Sequence, residues 1–272
     1  MIRLGLIGHP VAHSRSPLLH RAALRAAGLE GSYELFDTLP AAVAERVAAL
    51  RASGFAGLNV TIPHKTTVLA LADRVDPLAA RIGAANTLCL SPDVVTAFNT
   101  DAPAFMDSLA QAFGDPSAHD VLVYGTGGAA RAVIAALVDT GARVSVAGRR
   151  SEVVAALASE LGARALDAGA RPTLLVNASS AGLGLVEGSP EWCASSDMFA
   201  RLPWDSASLG YDVIYGHGTT PFLAAARDGG VDGMGGGDML VRQAAIAFEL
   251  WTGVPRGETV VAMRAAFAGL VG

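Results

Sequence analysis

The most constraining feature of this chain is a strand that runs straight into a glycine-rich turn and then a helix. Val121 to Tyr124 is apolar, Gly125-Thr126-Gly127-Gly128-Ala129-Ala130 follows without a spacer, and the pattern predicts a helix from Gly127 to Thr140 and a second strand from Val144 to Ala147. Parallel neighbours need a crossover, and the one available here has the length of a helix, so the segment reads as a βαβ unit. Its glycines allow a tight corner and close backbone approach. The helix N-terminus behind them offers free N–H groups that suit a pyrophosphate.

The next strand ends in Ala147-Gly148-Arg149-Arg150-Ser151. An acidic residue at that place reads the ribose hydroxyls of NAD, whereas arginine accommodates a 2′-phosphate, so Arg149 and Arg150 favour NADP. Alternation of strand and helix also governs the first third. Strands are expected at Arg3 to Ile7, Ser32 to Phe36 and Gly57 to Ile62, with a strand pair at Thr87 to Leu90 and Val94 to Ala97. Helices are expected after Ser16 as N-cap, with Gly28 just past the end, from Pro40 to Ala52 and from Ala102 to Phe113. The break at Gly114-Asp115-Pro116-Ser117 separates the two halves.

The fold class is therefore α/β with two domains. Residues 1–101 form an α/β substrate domain, 102–237 a Rossmann-type domain, and 238–272 C-terminal helices that pack back on the first. The glycine-rich stretch Val231 to Gly237 is expected to be a flexible or tightly turned hinge. Apolar residues make up 51% and charged ones 17%, which excludes a disordered chain. A net charge of -5 argues against a nucleic-acid partner. Cys89 and Cys193 lack ligand spacing, so neither a metal site nor a disulfide framework is expected. Ile2 to Gly8 is too brief for a signal or membrane segment, and the cytoplasm is the expected location.

Nineteen arginines accompany one lysine, Lys65, in Asn59-Val60-Thr61-Ile62-Pro63-His64-Lys65. Where only fixed charge is needed, arginine serves; an ammonium in a dry cleft can also exchange its proton. Polar residues cluster at the ends of strands, where α/β sheets bind ligands. Ser14 and Ser16 follow the first strand, Asn86 precedes the fourth, and Asn99-Thr100-Asp101 follows the fifth. Ser16 also suits a helix cap, Asn86 a turn, and Asp101 a cap of its own helix.

Seven segments carry a resemblance to the shikimate dehydrogenase family. They are Gly8 to Pro17, Asn59 to Lys65, Ala84 to Thr87, Asn99 to Ala102, Gly125 to Ala132, Thr220 to Phe222 and Gly236 to Ala244. The resemblance implies NADP-dependent, reversible reduction of 3-dehydroshikimate to shikimate by a monomer or homodimer. It implies Lys65 and Asp101 as the catalytic pair and Ser14, Ser16, Thr61, Asn86, Tyr215 and Gln243 as substrate ligands. NADP would be held by Gly125, Thr126, Gly127, Gly128, Ala129, Arg149, Arg150, Val213 and Gly236, with no metal. Three departures from the family pattern stand out: Ala102 in place of glycine, the glycine-rich run at Gly233 to Asp238, and Gly148-Arg149-Arg150 after the second Rossmann strand. A relative acting on quinate or an aminated shikimate would use the same pair, whereas a non-catalytic NADP sensor would have no need to keep it.

Overall fold

Apolar strands buried on both faces form the centres of two separate six-stranded sheets, with more exposed strands at the edges. The computed structural model describes residues 1–216 and 218–269; position 217 and the last three positions of the C-terminal segment lie outside the described residues. The chain divides into two units, Met1–Ala104 together with the chain from Val241 onward, and Phe105–Leu240.

The first unit opens β1 (Ile2–Gly8), α1 (Ser16–Ala26), β2 (Gly31–Asp37), α2 (Val43–Ala52) and β3 (Gly57–Val60). It continues with β4 (Arg74–Val75), α3 (Pro77–Ile82), β5 (Thr87–Leu90), β6 (Val95–Phe98) and the first turn of α4 (Asp101–Ala112). The sheet order is β2-β1-β3-β5-β6-β4. Strands β1, β2 and β3 are parallel, whereas β5 is antiparallel to β3 and β6 antiparallel to β5. The exits of β1, β3 and β6 and the entrance to β5 therefore lie at one end of the sheet. That end collects the loop with Ser14, the segment Thr61 to Lys65, Asn86, and the run Asn99 to Asp101.

The second unit carries β7 (Asp120–Tyr124), α5 (Gly128–Asp139), β8 (Arg143–Ala147), α6 (Ser151–Leu161), β9 (Arg164–Ala165) and β10 (Leu174–Asn177). It continues through α7 (Pro190–Phe199), β11 (Leu209–Asp212), α8 (Pro221–Asp228) and β12 (Asp232–Gly235). Every neighbouring pair is parallel, in the order β12-β11-β10-β7-β8-β9. The chain steps outward from β7 to β9, then returns to the other side with β10. That reversal leaves a crevice at the carboxyl ends of β7 and β10, the place where doubly wound sheets bind dinucleotides. Two further helices, α9 (Gly237–Thr252) and α10 (Arg256–Ala268), lead back into the first unit, where α10 packs on α1.

The expected hinge at Val231 to Gly237 is instead the edge strand β12, paired with β11 from Asp232 to Gly235. Its glycines leave no side-chain alternation to read, while β11 offers a row of backbone partners. Helix α7 and the two-residue strands β4 and β9 were likewise not expected.

Candidate active site

At the shared end of the first sheet, Lys65 Nζ donates to Asp101 Oδ2 at 2.6 Å, with the side chains 14% and 7% exposed. Lys65 sits between β3 and the 3₁₀ turn Thr67–Leu71, and its carbonyl accepts from Ala85 N at 2.7 Å. Asp101 does not cap α4. Asn99 Oδ1 accepts the N–H groups of Asp101 and Ala102 at 3.0 and 3.1 Å and does the capping in its place. The aspartate carboxylate is thereby left for other partners. Ala102 is accommodated as a buried first-turn residue.

Asn86 is not a solvated turn residue. It is 2% exposed and joins the pair directly. Its Nδ2 donates to Asp101 Oδ1 and to Thr100 Oγ1, each at 2.9 Å, and to Gln243 Oε1 at 3.3 Å. Its Oδ1 accepts from Thr100 N at 2.7 Å, which fixes the amide with its donor face toward the carboxylate. Lys65, Asp101, Asn86 and Gln243 thus form one contiguous polar set from four chain segments.

Behind them, Asn59 joins the set through Nδ2, which donates to Asn86 O and Thr87 Oγ1 at 3.4 and 3.3 Å. Asn59 Oδ1 accepts from Tyr33 Oη at 2.7 Å and from His20 Nε2 at 3.1 Å. His20 is fully buried and stacked on Tyr33 with ring centroids 4.3 Å apart. Burial pushes its pKa down to about 3 against the opposing Asn59 hydrogen bond, so the ring is neutral.

The cap expected of Ser16 falls to Ser14 instead. Helix α1 starts at Ser16, Arg15 occupies the cap position without a side-chain bond, and Ser14 Oγ accepts from Ser16 N at 3.2 Å. Ser16 is 5% exposed and its hydroxyl makes no hydrogen bond to another described residue. Thr61 is half-buried, held through its N–H to Ile7 O at 2.9 Å. Tyr215 belongs to the second unit, in the segment between β11 and α8.

In the second unit, Gly125 has φ +138°, and a Cβ there would lie 2.8 Å from the Ala178 carbonyl group, so only glycine brings this turn onto the end of β10. A Cβ on Gly127, the cap of α5, would meet nothing within 4 Å; the face of the turn is open. Arg149 and Arg150 are exposed and form no ion pair among the described residues. Burial raises the Tyr124 pKa while Arg149 lowers it, which places the Arg149 charge beside the end of β7. Gly236 lies against Val213, whose carbonyl oxygen would be 2.2 Å from an added Cβ. An open glycine turn at a helix N-terminus with free guanidinium groups at the end of the next strand fits a phosphorylated dinucleotide. No cluster of three His, Cys, Asp or Glu residues able to hold a metal, and no helix long and apolar enough to cross a membrane, is found among the described residues.

Polar residues closing β10 and β11, Asn177 and Asp212, escaped the sequence reading. The strand-end rule that singled out Asn86 and Asp101 points to them too.

The family profile described as "Shikimate dehydrogenase substrate binding domain" matches residues 6–88, and "Shikimate 5'-dehydrogenase C-terminal domain" matches residues 236–255. A shikimate dehydrogenase (NADP(+)) from Methylobacterium radiotolerans is 44% identical over 96% of this chain and 95% of its own length. The crystal structure of a Thermus thermophilus shikimate 5-dehydrogenase with NADP(H) and shikimate superposes with a TM-score of 0.83 at 41% identity, covering 98% of this chain and 100% of that one. For the shikimate dehydrogenase of Aquifex aeolicus the values are 0.84 and 31%, over 97% of this chain and 98% of that one.

Proposed function

The chain belongs to the shikimate dehydrogenase family, and on that premise we propose that Lys65 and Asp101 carry the proton transfer of an NADP-dependent, reversible reduction of 3-dehydroshikimate to shikimate. The protein is an NADP-dependent oxidoreductase. The observation that carries the reading is the 2.6 Å ion pair at a strand-end cluster of otherwise neutral hydrogen-bonding groups.

Reducing a ring ketone to an alcohol adds a hydride at carbon and a proton at oxygen. When bound, NADPH supplies the hydride. Lys65 gives its ammonium proton to the ketone oxygen as negative charge grows there, and its amine takes that proton back in the oxidative direction. General acid catalysis of this kind contributes roughly 10²–10⁴-fold. Asp101 holds the ammonium in line through Oδ2, and Asn86 steadies the carboxylate through Oδ1. Ser14, Ser16, Thr61, Asn86 and Gln243 hold the carboxylate and hydroxyls of the ring. The turn Gly125 to Ala129 takes the pyrophosphate, Arg149 and Arg150 the 2′-phosphate, and Val213 and Gly236 the nicotinamide side. The free cysteines Cys89 and Cys193 are in keeping with work in the cytoplasm, and size-exclusion chromatography distinguishes monomer from homodimer.

Steady-state assays with shikimate, quinate and aminoshikimate, each with NADP and NAD, test the reading. The highest kcat/KM is expected for shikimate with NADP. A preference for quinate or aminoshikimate would reassign the substrate while keeping the pair, and no turnover with any of the three would remove the pair's role.

A further inference from the structure

Asp212 ends β11 as a fully buried carboxylate, and among the described residues every group that donates to it is neutral. Its Oδ1 accepts from Asn177 Nδ2 at 2.9 Å and from Ile214 N at 3.0 Å, and its Oδ2 accepts from Thr220 Oγ1 at 2.6 Å. These donors come from β10, from the chain leaving β11, and from the cap of α8. Burying a carboxylate without a cation is costly, and burial pushes its pKa up to about 6 in spite of the three hydrogen bonds.

The partners of Asp212 lead to two groups assigned to the dinucleotide. On one side, Asn177 Oδ1 accepts from Ser179 N and Ser179 Oγ at 3.1 and 2.7 Å, fixing the Ala178-Ser179 backbone against which Gly125 turns. On the other, Val213 N donates to Asn177 O at 2.9 Å, and Val213 O lies against Gly236. The Thr220 hydroxyl, whose oxygen accepts from Leu223 N at 3.2 Å, gives its one proton to the carboxylate, which can only accept. An amide at position 212 faces donors on both sides. With its oxygen toward Asn177 and Ile214, its NH₂ meets Thr220 and leaves that hydroxyl without an acceptor.

We propose that Asp212 is a positioning residue for the dinucleotide site, its charge clamping the Gly125 turn and the Val213 to Tyr215 segment at a fixed spacing. The proposal rests on the reading that Gly125, Val213 and Gly236 hold NADP. The test is NADPH binding to the full-length protein, followed by the cofactor's fluorescence at a pH of about 8, beside shikimate binding and thermal unfolding of the ligand-free protein. Asp212→Asn is expected to weaken NADPH binding roughly tenfold to a hundredfold, the worth of one hydrogen bond to a charged group. Shikimate binding and the unfolding midpoint should not fall. Thr220→Val should weaken NADPH binding in the same direction, and Thr220→Ser, which keeps the hydroxyl, should restore it. NADPH affinity unchanged in Asp212→Asn, or equal losses for NADPH and shikimate together with a lowered midpoint, overturns the clamp. Arg149→Ala and Gly236→Ala separate the two readings: if neither weakens NADPH binding, the assignment of the cofactor residues has failed, whereas a loss there with Asp212→Asn unaffected removes the clamp alone.

Discussion

Replacing Asp101 with asparagine isolates the contribution of one charge. The substituted amide can keep its oxygen where Oδ1 now accepts from Asn86 at 2.9 Å, so the scaffold of the cluster is retained. Its NH₂ then faces the Lys65 ammonium across a 2.6 Å contact, a donor against a donor. Removing one partner of a buried pair costs roughly 3–5 kcal/mol, and the 14% exposure of Lys65 sets this site at the lower end of that range. Part of that cost is relieved when the lysine swings toward water, which takes the acid out of line with the ketone oxygen. With general acid catalysis worth about 10²–10⁴-fold, kcat for Asp101→Asn is expected to fall by about 10²–10³-fold. The assay is the rise of NADPH absorbance with shikimate and NADP, run beside NADPH binding and thermal unfolding to show that cofactor site and fold are intact. Lys65→Arg should be nearly as damaging, because guanidinium holds its proton at any working pH. Turnover close to wild type in either variant would refute the reasoning.

Arg149→Ala or Arg150→Ala should raise the Michaelis constant for NADPH far more than for NADH; equal effects would show that neither reads the 2′-phosphate. Gly236→Ala should destabilise by about 1–3 kcal/mol and weaken NADPH binding, since the added methyl meets the Val213 backbone, which cannot swing aside as a side chain would. Unchanged denaturant unfolding would contradict the packing there. Asp212 carries a pKa of about 6 in place of 3.8, so between those values the folded protein holds a proton that the unfolded chain has released. Its contribution therefore favours folding at low pH and is lost as pH rises through that window, by about 3 kcal/mol in all. Unfolding free energies of wild type and Asp212→Asn measured across the window should diverge accordingly, and parallel curves would rule the shift out.

The glycine turn, the crossover helix and the two arginines were legible because their signals are local: an apolar run, a turn composition and a strand end within one βαβ unit. Lys65 was conspicuous through arginine's dominance elsewhere. Reading failed where meaning depends on a partner distant in the chain. Nothing in Asp232-Gly233-Met234-Gly235 announces a strand until β11 lies beside it. Ser14 and Ser16 both suit a cap, and only the backbone path shows that Ser14 receives the N–H. Asp101 reads as a cap until Asn99, two residues earlier, takes that duty. Likewise His20 and Tyr33 have no motif to mark them, yet both converge on Asn59, one layer behind the ion pair.

One ammonium among nineteen guanidinium groups also makes the protein unusually easy to interrogate chemically. Amine-directed reagents can address just Lys65 and the chain's α-amino group. Reductive methylation with isotopically enriched formaldehyde therefore introduces a single side-chain resonance, whose chemical shift reports how the nitrogen at the Asp101 contact responds to acid, to base and to each ligand added in turn.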